Sequence, residues 1–172
     1  MGSTLATPYT WATQLLDVAA ASLIPTSGGA ITRAFVSAGL PALDCCPQLT
    51  VHTAGHGLLP TSAPGALTPG HRRTVGQVRY IRFIITEVRC APVPGTKGQP
   101  PSPASQSAIA EVLNQDALAI IAGVNEAWKG GGLFGGVCKE FYFDGATSLD
   151  PSGGCVGWLF NYRASIEGLT LA

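Results

Sequence analysis

Charge is what this sequence has least of: 12% of its 172 residues are Asp, Glu, Lys or Arg, against about 25% in an ordinary soluble domain. A surface so poor in charge suits burial by partners, because charged groups are costly to desolvate at the centre of an interface. Long hydrophobic runs are also missing. Stretches such as Val18–Ile24 fall far short of the ~20 apolar residues that span a bilayer, so no membrane span is expected. The first basic residue is Arg33, which leaves no positive stretch ahead of an apolar run and no expected leader peptide. Met1-Gly2 opens like an acylation signal, but Ala6 stands where Ser or Thr is required. There is no Asn-x-Ser/Thr sequon. The five cysteines are odd in number and irregularly spaced, which excludes a simple disulfide framework and points to reduced thiols in a cytosolic setting.

What the chain does have is glycine, proline and apolar residues: 22 Gly, 13 Pro and 46% hydrophobic. The length suits one domain, 1–172, with room for a core that needs no staples. Its charge is unevenly spread. Residues 71–97 hold six bases against Glu87, and residues 98–172 hold three bases against seven acids. Those opposite segments can attract one another within a fold or across neighbouring copies.

Thr7-Pro8 reads as cap and first turn of a helix over about 9–21, with Trp11, Leu15, Val18, Ala19 and Leu23 on one face. A short strand is expected around Ile31, Phe35 and Val36, and another leads from Asp44 to Val51. Residues 55–76 form a long loop rich in Gly, Pro, Ser and Thr, ending at His71-Arg72-Arg73; loops of that length are functional or disordered. Residues 77–90 are the clearest strand, with Ile81, Phe83 and Ile85 on one face and Tyr80, Ile84 and Val88 on the other, so both faces are covered. Five prolines make 91–104 an exposed linker. A second helix spans about 105–128 with a stripe of Ile109, Val112, Leu113, Ile120 and Val124. Gly130-Gly131-Gly132 stops it. Two strands close the chain, 137–143 and 155–166, joined by a turn-rich 144–154. The fold class is therefore α+β: an antiparallel or mixed sheet flanked by two helices, with a long Gly/Pro-rich loop.

No catalytic constellation emerges. Cys45-Cys46 with His52 and His56 invites a zinc reading, yet on one strand the two histidines would lie ~13 Å apart and the cysteines would face opposite ways. No local signature marks a Cys/His hydrolase, although a small Cys- or metal-dependent hydrolase is the alternative from another class. Gly130 to Gly135 matches G-x-G-x-x-G, but it closes a helix where the nucleotide fingerprint opens one. Direct DNA recognition would need more than three basic residues at a loop end. Catalytic, cofactor and metal residues are accordingly expected to be none. The interface candidates are His71, Arg72 and Arg73, with Leu133 and Phe134 supplying apolar contact. The basic trio would meet Glu140, Asp144 or Asp150 of an adjacent copy, and residues 55–76 would be ordered mainly by such neighbours.

The strand closing as Glu87-Val88-Arg89-Cys90-Ala91-Pro92-Val93-Pro94 carries a family resemblance. So do the helix entered through Pro100-Pro101-Ser102-Pro103-Ala104 and the ending Pro151-Ser152-Gly153-Gly154-Cys155-Val156-Gly157-Trp158. Leu43-Asp44-Cys45-Cys46-Pro47-Gln48-Leu49 after the first helix fits the same pattern. In these features, which span most of residues 9–167, the chain resembles tail terminator (neck) proteins of actinobacterial long-tailed phages. The resemblance implies a non-enzymatic virion protein assembled in the host cytoplasm as a homo-hexameric ring. Its partners would be a tail tube protein and a head-completion protein, with DNA passing through the lumen without sequence recognition. Head-closure and adaptor proteins of the same neck share this size and composition and stay open as the alternative.

Overall fold

The computed structural model describes residues 7–41, 47–58, 79–94, 98–152 and 154–166. Thr7 caps the first helix, α1 (Pro8–Leu23), its side chain accepting from the Thr10 N–H while Pro8 occupies the first turn, where a missing N–H costs nothing. The buried stripe of α1 is Trp11, Ala12, Leu15, Leu16, Ala19 and Leu23. Strands β1 (Arg33–Val36), β2 (Gln48–Leu58), β3 (Arg79–Cys90), β4 (Cys138–Ser152) and β5 (Cys155–Ile166) make one mixed sheet in the order β1-β2-β3-β5-β4. β1 runs parallel to β2, and every other pairing is antiparallel. Helix α2 (Pro103–Lys129) precedes β4 and packs on α1.

Both helices serve the sheet face that carries Leu49, Val51, Ile81, Phe83, Ile85, Phe160, Tyr162 and Ala164. Aromatic rings fill the centre of that layer. Phe134 lies 5.9 Å from Phe83, 6.2 Å from Trp11 and 5.2 Å from Phe141, and Phe141 stacks on Tyr162 at 5.2 Å. The two helices approach closely at Gly123, where a Cβ would strike the Ser22 side chain.

The α+β expectation holds, with differences at the edges. β2 does not stop at Val51. It continues to Leu58 across a bulge between Thr53 and Gly55, so the start of the expected 55–76 loop is strand; the rest of that loop lies outside the described residues. Likewise the expected turn 144–154 is mostly strand, because β4 absorbs Asp144 and the Asp150-Pro151 region as register shifts. In α2, Ile120 and Val124 are buried as expected, but Ile109, Val112 and Leu113 are half-buried. The third buried residue is Asp116.

Candidate assembly surfaces and a buried charge cluster

The sequence-derived candidates separate in space. His71, Arg72 and Arg73, like Cys45 and Cys46, lie outside the described residues. Leu133 and Phe134 are corrected from surface to core, at 2% and 0% exposure. The reason is backbone geometry. Phe134 takes φ 61°, followed by Gly135 at 56° and Gly136 at 78°, a run of left-handed residues that turns the chain inward. The Phe134 N–H is held by the Gln14 Oε1 at 2.9 Å. Gly130-Gly131-Gly132 thus ends the helix, and Phe134-Gly135-Gly136 makes the tight reversal.

The histidine pair also falls apart. The bulge in β2 leaves His52 opposite Ile84 and His56 opposite Ile81, so the two positions lose their common parity. His52 is buried, and desolvation lowers its pKa, keeping the ring neutral. Among the described residues no group of three His, Cys, Asp or Glu side chains could hold a metal ion. A shallow hollow of about 160 Å³ lies beside the bulge, lined by Ala54, Gly55, Tyr80 and Arg82. That is smaller than the 300–1,000 Å³ typical of ligand pockets.

The most perturbed chemistry is internal. Arg89 on β3 donates through Nε to Glu87 Oε1 at 3.1 Å and to Asp116 Oδ2 of α2 at 2.8 Å. Its terminal nitrogens donate to the Gly28 and Gly29 carbonyls at 2.9 and 3.0 Å. One guanidinium therefore joins β3, α2 and the turn after α1. The side chains are 0–6% exposed, so no substrate reaches them. Two carboxylates against one cation would leave a net negative charge in the interior. Burial, then the Asp116 charge, push Glu87 up to about 8 despite Arg89. At neutral pH Glu87 is thus a protonated acid beside a neutral Arg89–Asp116 pair. This cluster is a tie between layers, and sequence reasoning passed over it.

Two outer surfaces are under-covered. Helix α2 has 27 residues, of which three are buried. Its remaining charges are Glu111, Glu126 and Lys129, the last two paired with each other at 3.1 Å. Leu118 stands 70% exposed on a flank that also carries exposed Ala122. By length and composition alone this helix could cross a membrane, but it is seated on α1 and tied to the sheet through Asp116. The second surface is β4, 15 residues long, hydrogen-bonded to β5 along one edge and to no described strand along the other. Tyr142 (42% exposed) and Phe143 (36% exposed) stand on it. Arg163 from β5 stacks over Tyr142 at 5.2 Å and bonds Asp144 at 3.0 Å.

No family model matches the chain, and no curated protein matches it. Among solved structures it is similar to a chain of one titled "Virion of native gene transfer agent (GTA) particle", at 15% identity and a TM-score of 0.45, covering 98% of this chain and 100% of that one.

Proposed function

We propose that this chain is a structural virion protein, a tail terminator of a long-tailed phage that assembles as a hexameric ring. In this reading the ring caps the tail tube, presents a docking surface to the head-completion protein, and lets DNA pass through its lumen without reading sequence. The observation that carries it is α2: a long, weakly charged helix with three of 27 residues buried in its own subunit. Apolar surface of that kind is stabilised by a neighbour. The edge of β4 that no described strand covers adds a second place for a partner. The Pro-rich segment and closing strands that resemble tail terminators support the choice of neck position. The role is architectural, with no turnover and no cofactor.

The test is substitution on the exposed flank of α2. Leu118→Asp removes no buried contact, so the subunit should keep its thermal midpoint and circular dichroism while ring formation weakens at least tenfold in protein concentration. Undiminished assembly would remove α2 from the interface.

A further inference from the structure

We propose that Cys90 and Cys155 are a cross-strand redox pair, which a small-molecule disulfide converts into an intrachain disulfide joining β3 to β5. The two residues are register partners at the end of the β3–β5 ladder. The Ala91 N–H donates to the Gly154 carbonyl at 2.7 Å, which makes 91 and 154 a hydrogen-bonded pair. Antiparallel ladders alternate, so Cys90 and Cys155 form the adjacent pair without mutual backbone hydrogen bonds. Such pairs bring Cα atoms to about 4.5 Å with both side chains on one face, inside the ~4.4–6.8 Å range that a disulfide bridges.

The structure holds both residues as thiols. Cys90 is exposed and Cys155 is buried, which divides the roles. Cys90 is the entry thiol, and Cys155, shielded from solvent, is the resolving thiol. Cys138 does not compete, because it is paired with Ile166 at the opposite end of β5, about 35 Å from Cys155 along the strand. Burial also pushes the Cys138 thiol up, reducing its thiolate fraction.

The chemistry balances with oxidised glutathione as oxidant. The Cys90 thiolate attacks one glutathione sulfur, the glutathione S–S bond breaks, and one glutathione leaves as thiolate, taking up a proton. Cys155, deprotonated, then attacks Cys90 Sγ and expels the second glutathione. Two protein thiols become one disulfide, and one oxidised glutathione becomes two reduced ones. The bond would sit one residue from Arg89, which holds Asp116 of α2. It would therefore stiffen the junction that seats this helix.

The experiment incubates the folded full-length chain, with Cys45, Cys46 and Cys138 replaced by Ser, with oxidised glutathione. Intact mass should fall by about 2 Da, peptide mapping should join the Cys90 and Cys155 peptides, and dithiothreitol should reverse both. Adding Cys155→Ser should instead trap one glutathione on Cys90. The wild-type chain, mapped peptide by peptide, gives the same reading should the serine background fail to fold. A lasting glutathione adduct on Cys90 with Cys155 still a thiol, or no reaction at Cys90, would overturn the pairing. The readout is thiol chemistry on the isolated chain, so it is independent of the ring proposal.

Discussion

Replacing Glu87 by Gln should cost this protein little at neutral pH and should make it more stable than the wild type in alkali. Folded Glu87 is pushed up to about 8 from its ordinary value of 4.5, so between those values the folded chain holds a proton that the unfolded chain has lost. Stability must then fall as pH rises. A shift of that size corresponds to about 5 kcal/mol at most between pH 4.5 and 9, at ~1.4 kcal/mol per pH unit. Gln is a neutral isostere of the protonated acid. Its carbonyl can accept from the Arg89 Nε as Glu87 Oε1 does, and its amide can donate to Asp116. His52 pulls the other way, since its lowered pKa removes stability as pH falls below about 6.5. It does so equally in both proteins. The assay is urea unfolding from pH 5.5 to 9 at one protomer concentration. The wild-type free energy should drop by several kcal/mol relative to Glu87→Gln across this range. Parallel curves over the whole range, or a variant that loses several kcal/mol at pH 6, would refute a protonated Glu87.

Arg89→Met should be severe, about 3–5 kcal/mol, because it strands a buried carboxylate and two glycine carbonyls; equilibrium unfolding at pH 7 measures it. Phe134→Ala should cost a similar ~3–5 kcal/mol, since it empties the middle of the aromatic layer, and a loss below 1 kcal/mol would return this residue to the surface. Arg72→Glu with Arg73→Glu should weaken assembly most at low salt, with 0.5 M salt partly restoring it as screening shortens the repulsion; sedimentation across a salt series reads the effect.

The regular elements were legible where one physical signal dominated. The α1 stripe, the two-faced β3 and the closing β5 all show a clean apolar period, and their bounds shift by a residue or two. The missed parts share one cause: residue types that ordinarily break structure were used to bend it. Asp144-Gly145 and Asp150-Pro151 read as turns, but they are register shifts within β4. Gly55 opened the expected loop, yet it lies within β2, just after a bulge. Phe134 looked like a surface residue between glycines, when the glycines are what carry the chain into the core. A signal for the buried cluster did exist. Asp116 sits four residues before Ile120 on the apolar stripe of α2, and Glu87 and Arg89 interrupt the apolar run of β3. A lone acid on one apolar face and a charged pair on another imply one another.

Native mass spectrometry of the purified full-length chain tests the central claim most directly. The account predicts a discrete closed species, six chains of 17.6 kDa each, which persists on dilution through the low micromolar range. Monomers throughout that range would contradict it, as would an open-ended ladder of oligomers, since a heterologous contact that fails to close builds a filament where this reading requires a ring.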